Sequence, residues 1–274
     1  MSASEAAEET AVTWLSECHD GEKLLARVGR QGRLLVAEFP GTGILFVDSL
    51  HGQMSFRPDA LAASEAVAKL EQGLIPALLR HAQGKLTLHA AAVCIEGEAI
   101  ALLGPSGTGK STLAGAVCQS ASALLVADDT LAIEFSKRSG GTDVLSVLPT
   151  QNMIWLLSDA RAALGLDVTT PHTKMPHKIA RCTDPVRLRA VVALRFDEQA
   201  PRIRRIHGHD ALAALSQSAI RLIVDDPQAQ LREFDQLTTL TASCAVYELS
   251  RPRDLGVLQV SADLVRKLAL GDGP

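Results

Sequence analysis

The stretch that most constrains this chain is Leu102-Leu103-Gly104-Pro105-Ser106-Gly107-Thr108-Gly109-Lys110-Ser111-Thr112, because an apolar run leads into it and a helix-forming run leads out. A glycine-rich turn at a strand-to-helix junction lets successive backbone N–H groups curl around an anion at the positive end of the helix. The spacing GxxxxGK[ST] adds two side chains to that turn. Lys110 is set to reach the β- and γ-oxygens of a nucleotide, and the Ser111 hydroxyl to ligate Mg²⁺. Residues Gly104, Pro105, Ser106, Gly107, Thr108, Gly109, Lys110, Ser111 and Thr112 are therefore the expected nucleotide-binding segment, with ATP and Mg²⁺ as its ligands. A chain built around such a turn is expected to be α/β.

A second cluster decides what the nucleotide is for. Residues 121–127 read as a buried parallel strand, and Asp128-Asp129 stands where it ends. Carboxyl ends of strands in an open α/β sheet border the ligand crevice, which brings both carboxylates to the glycine-rich loop. One carboxylate suffices to hold a metal in a phosphate-loop ATPase. A second can accept the proton of an attacking hydroxyl. Adjacent side chains of a regular strand point to opposite faces, so the chain must turn within Val126-Ala127-Asp128-Asp129 for both to serve. The plainer alternative is that Asp129 caps the next element.

A third piece comes from hairpin spacing. Lys85 to Cys94 and Glu98 to Leu103 both have strand character, with a turn at Glu96-Gly97-Glu98. Antiparallel pairing about Gly97 sets His89 opposite Gly104 or Pro105. An imidazole at the mouth of the loop is suited to proton transfer, to polarising a carboxylate or to touching the γ-phosphate. By spacing alone, a lone histidine beside an alanine run is more often structural.

In this order and spacing, Leu88-His89-Ala90-Ala91-Ala92, Gly104 to Thr112 and Leu125-Val126-Ala127-Asp128-Asp129 resemble the catalytic domain of the bacterial HPr kinase/phosphorylase family. The resemblance implies a compact P-loop kinase core related to phosphoenolpyruvate carboxykinase, and phosphorylation of a protein serine. It implies His89 near the acceptor, Lys110 and Ser111 on phosphate and metal, Asp128 as general base and Asp129 as the neighbouring acid, holding Mg²⁺ with Ser111. Leu74 to Leu79, Met175-Pro176-His177-Lys178 and Val246 to Asp254 are similar to shorter members found beside peptide-modification genes. Some of those phosphorylate the C-terminal serine of lasso peptide precursors. The resemblance spans roughly residues 74 to 255 and makes Lys178, then Arg181, the expected neutraliser of the transferring phosphoryl group. The glycine- and isoleucine-rich signature that follows the core of the bifunctional enzymes is absent, so neither phosphorolysis nor HPr itself is implied.

Bulk properties agree with a kinase acting on a peptide or small protein. The chain has 274 residues, 27 Lys plus Arg against 31 Asp plus Glu, and a formal net charge of −4, with no basic block of the kind nucleic acid attracts. Five cysteines without CxxC spacing fit reduced thiols in the cytoplasm. No signal peptide or membrane span is expected. His172 and His177, in the basic segment from Pro171 to Arg181, lack metal-ligand spacing. Short apolar segments from Val12 to Phe56 separated by Gly, Asp and Pro turns predict a small β-rich unit over residues 1–80, with a helical linker from Ala62 to His81. Residues 81–274 are expected to form the catalytic domain. Further helices are predicted over 155–165, 210–222 and 230–242, and strands over 188–196 and 202–206. Two other readings stay open: a free serine or other small-molecule kinase, and a nucleotide-gated regulatory or interaction protein. Homo-oligomer formation is likewise open.

Overall fold

The computed structural model describes residues 11–48, 50–120, 122–137, 143–150, 153–168, 174–221 and 227–271. They divide into two compact units, the first holding the described residues up to Lys85 and those within Arg221–Leu231, the second the remainder.

In the first unit, alternation broken by glycine turns yields a five-stranded antiparallel meander. Its strands are β1 (Thr13–Asp20), β2 (Lys23–Gln31), β3 (Leu34–Phe39), β4 (Gly43–Asp48) and β5 (Gln53–Pro58), each paired with the next in sequence. Leu35 and Ala37 on β3 pair with Val47 and Leu45 on β4 and are buried, and Val36 between them is buried as well, so the middle of β3 is covered on both faces. Helix α1 (Ser64–Lys69) passes through a π-helical turn (Leu70–Leu74) into α2 (Ile75–Ala82). Pro76 is the second residue of α2, directly after the π-helical turn, where the regular hydrogen-bond ladder is already interrupted.

The second unit is a mixed α/β sheet of nine strands among the described residues. Its strands are β6 (Thr87–Leu88), β7 (Ala91–Ile95), β8 (Glu98–Leu103), β9 (Ala123–Ala127), β10 (Leu131–Lys137), β11 (Asp143–Leu148), β14 (Val186–Phe196), β15 (Arg202–Ile206) and β16 (Ala245–Arg251). Between them, β12 (Met153–Leu156) and β13 (Met175–Lys178) form a separate antiparallel pair. Strand β14 runs parallel to both β8 and β16; β8 continues antiparallel through β7 to β9. The helices are α3 (Lys110–Val117), α4 (Ser158–Ala163), α5 (Gly208–Ser218), α6 (Pro227–Ser243) and α7 (Leu258–Leu270). Ile100, Leu102 and Val192 pack with Leu113 of α3 and Val265 of α7 on one face, while Ala101, Leu103 and Val191 pack with Leu215 of α5 and Leu240 of α6 on the other. Both faces of β8 are thus covered, and its sequence is apolar at every position from Ala99 to Leu103 for that reason.

Three expectations change. The strand expected from Lys85 to Cys94 is broken at His89-Ala90: Leu88 pairs with Leu131 of β10, and the His89 N–H donates to the Ser218 carbonyl at 2.6 Å. Trp155 and Leu156 belong to β12 and not to a helix, which begins only at Ser158, where Asp159 Oδ1 accepts the Ala160 N–H at 2.7 Å. The segment expected between elements after Pro171 contains β13, and Ala180 and Cys182 add backbone hydrogen bonds to Leu125 of β9. Residues 171–173 of the expected basic segment lie outside the described residues. No helix among the described residues is long and apolar enough to cross a membrane.

Candidate functional site

Leu102 and Leu103, both fully buried, anchor β8, and the chain leaves the sheet at Gly104 with φ 142°. A Cβ at Gly104 would stand 2.8 Å from Thr108 Oγ1 and 3.1 Å from the Leu194 carbonyl oxygen, so this position needs glycine for space as well as conformation. The loop closes on itself: Thr108 Oγ1 donates to the Pro105 carbonyl at 2.8 Å. Gly109 caps α3 in the left-handed conformation, φ 83°, leaving the first N–H groups of the helix at the loop.

Lys110 is nearly buried and folds back along the loop, its Nζ donating to the carbonyls of Gly104 at 2.7 Å and Pro105 at 3.3 Å, and to His89 Nε2 at 3.1 Å. The other ring nitrogen of His89, Nδ1, lies 2.9 Å from the Asp129 carbonyl oxygen. This network assigns a neutral ring, Nδ1–H donating to the carbonyl and Nε2 accepting from the ammonium. Burial, then the Lys110 charge, holds His89 below the usual histidine range, in agreement with that tautomer. Burial also lowers Lys110, against the opposing pull of Asp129 and Asp128.

The two carboxylates occupy different places. Asp128 is 2% exposed, accepts the Ser111 hydroxyl on Oδ1 at 2.8 Å and the Trp155 N–H on Oδ2 at 3.4 Å. Burial pushes its pKa up to about 6, offset in part by the Ser111 hydrogen bond. Asp129 follows with φ 70°, a conformation uncommon outside glycine, and this turn delivers its carboxylate to the same side as His89. The Asp129 side chain is 41% exposed, with Oδ1 3.8 Å from His89 Nδ1. Ser111 therefore sits against Asp128, whereas the family resemblance couples it to Asp129. Two hard oxygens 2.8 Å apart, one a carboxylate and one a hydroxyl, form a donor pair suited to Mg²⁺. No group of three or more His, Cys, Asp or Glu side chains that could hold a metal occurs among the described residues.

Lys178 is exposed and lies opposite Met153 on the β12–β13 pair. Of the basic residues in this segment it is Lys174 whose charge bears on both His89 and Lys110. Arg181 is exposed beside the backbone hydrogen bonds that join its neighbours to β9. Three contributors were missed from sequence. Trp155 was hidden within an expected helix, Lys174 has no spacing that separates it from Lys178, and Arg251 reaches the loop from 143 residues away through a hydrogen bond to the Thr108 carbonyl.

A cavity of about 530 Å³ opens at the Gly104–Pro105 end of the loop. Ala213, Ala214 and Ser218 of α5 form one wall; Arg195, Arg204 and Glu248 line the other. Ser218 is the residue whose carbonyl receives the His89 N–H, so the cavity and the His89–Lys110 pair share a boundary.

No family model matches the chain, and no curated protein matches it. Among solved structures, the HPr(Ser) kinase/phosphatase from Coxiella burnetii superposes with a TM-score of 0.35 at 16% identity, covering 68% of this chain and 97% of that one. The likeness is weak, partial and one of fold alone.

Proposed function

We propose that the chain is an ATP-dependent kinase with a core of the HPr kinase/phosphoenolpyruvate carboxykinase type. The acceptor in this reading is a serine hydroxyl of a peptide or small protein, such as the C-terminal serine of a lasso peptide precursor. The observation that carries it is the convergence at one loop of the Ser111–Asp128 pair and the Lys110–His89 pair, at 2.8 Å and 3.1 Å. A nucleotide switch needs the first pair; the second, with Asp129 beside it, supplies groups for handling an acceptor's proton.

Residues 104–112 bind the triphosphate, and Lys110 exchanges its loop carbonyls for β- and γ-oxygens, which frees the lone pair of His89 Nε2. Ser111 and Asp128 would hold Mg²⁺, which would supply charge stabilisation for the phosphates. Asp128 is a poor candidate for the base, since it is buried and both its oxygens are engaged. We assign proton acceptance to Asp129 with His89. The acceptor oxygen bonds to the γ-phosphorus as the bond to the bridging oxygen breaks; ADP leaves and the hydroxyl proton passes to the Asp129 carboxylate. Lys174 takes the charge-neutralising part that the resemblance implies for Lys178. The cavity beside Gly104 and Pro105 receives the acceptor, and its volume also suits a small molecule.

Intact-mass analysis after incubation with Mg-ATP tests this reading against precursor peptides ending in serine, free L-serine and HPr. A gain of about 80 Da on the peptide alone is expected, lost when its serine is alanine. Lys110→Ala should reduce transfer about a hundredfold or more. Transfer to free serine alone establishes the small-molecule reading, and undiminished transfer by the variant overturns the loop assignment.

A further inference from the structure

Arg251 ends β16 opposite Phe196 of β14, and its side chain is 3% exposed. One nitrogen, Nη2, donates to the Thr108 carbonyl at 2.9 Å. The guanidinium lies 5.7 Å from the Phe196 ring centroid, and its Nε has no hydrogen-bond partner among the described residues. Burial pushes the guanidinium below the usual arginine range, and it forms no ion pair among the described residues. Gly109 makes room for it, since a Cβ there would stand 2.7 Å from Nη2.

A desolvated cation without an anionic partner destabilises the state that holds it. Here it lies behind a loop that already carries the positive end of α3 and the Lys110 ammonium; Asp129 and Asp128 act on Lys110, and no such carboxylate pairs with Arg251 among the described residues, so the positive groups at its side of the loop attract an anion. The hydrogen bond also sets geometry. In a trans peptide the C=O and the following N–H point in opposite directions. Capture of the Thr108 carbonyl therefore turns the Gly109 N–H away from Arg251.

We propose that Arg251 is a positioning residue for a nucleotide polyphosphate: it orients the Thr108–Gly109 peptide and places behind the loop a positive charge that the bound phosphates neutralise. This rests on the reading of residues 104–112 as a nucleotide site. It predicts opposite signs for the empty and the loaded protein. Removing an uncompensated buried charge spares or raises the stability of the empty protein and weakens phosphate binding. An arginine that merely tied β16 to the loop would lower stability and leave affinity unchanged.

The test compares Arg251→Met, which keeps an apolar stem, with Arg251→Lys and wild type, by thermal melting and by calorimetry with Mg-ATP. Arg251→Met is expected to melt no lower than wild type without nucleotide and to bind Mg-ATP about tenfold or more weakly, with Arg251→Lys intermediate. In wild type, the Arg251 Nε–H resonance, assigned by its absence from Arg251→Lys, should move on adding Mg-ATP but not Mg²⁺ alone. That measurement stands even if Arg251→Met does not fold. Wild-type affinity in Arg251→Met, or an unmoved resonance in a wild type that binds Mg-ATP, overturns the role of Arg251 alone. Failure of wild type to bind Mg-ATP overturns the nucleotide reading and this proposal with it.

Discussion

Asp128 and Asp129 share a peptide bond and little else. The first is buried between the Ser111 hydroxyl and the Trp155 N–H; the second stands at the surface beside His89, carried there by a left-handed backbone turn. Their substitutions should separate accordingly. Asp128→Asn is expected to weaken Mg²⁺-dependent ATP binding, because an amide is a poor ligand for a hard cation. Asp129→Asn and His89→Ala are expected to keep that binding and lose turnover about a hundredfold, the usual contribution of a positioned acid or base. Calorimetry read beside transfer rates decides; the reverse pattern restores the roles implied by family resemblance.

At the scale of elements, α3 touches its neighbours through a glycine. A Cβ at Gly115 would stand 2.9 Å from Ile154 Cδ1 of β12 and from Leu164 Cδ1 after α4. Gly115→Val is expected to overpack this contact and destabilise the protein by about 1–3 kcal/mol, seen as a lower denaturant midpoint. Because β12 carries the Trp155 N–H to Asp128, Mg²⁺-dependent nucleotide binding should weaken too. The end of β4 gives a pH-dependent case. Asp48 accepts the His51 N–H at 3.2 Å, lies 2.9 Å from His51 Nδ1 and 3.3 Å from Arg33 Nη2, and these partners hold its carboxyl below the usual range. A carboxyl lowered by folding contributes stability above its unfolded pKa of about 3.9 and loses it as pH falls through the lower folded value. Wild type should thus lose more melting temperature than Asp48→Asn as pH falls from about 5 to about 3. Parallel acid limbs for the two proteins would show that the contact contributes nothing.

For the molecule as a whole, the free cysteines report on packing. Cys18 is exposed, while Cys94, Cys182 and Cys244 are buried and burial pushes the thiols of Cys118, Cys182 and Cys244 up to about 12. A disulfide reagent at about pH 8 should modify Cys18 in the native protein and reach the other four only on unfolding. Rapid reaction at all five would contradict the burial of Cys94, Cys182 and Cys244. Local order was legible in the chain: the β8–loop–α3 junction, the strand ending before Asp128 and the short apolar segments of β2 to β4 between their turns depend on neighbours a few residues apart, and apolar runs and glycine placement record such neighbours directly. Trp155 shows where that record ends, since an apolar residue beside a helix start fits either element until β13 supplies a strand for it to pair with. The environment of Asp128 was decided only when α3 and β12 brought Ser111 and the Trp155 N–H to the end of β9, and the reach of Arg251 to Thr108 only when β14 brought β8 and β16 to its two edges. Burial, hydrogen-bond partner and charge environment are properties of residues brought together across the sheet, and spacing along one chain does not encode them.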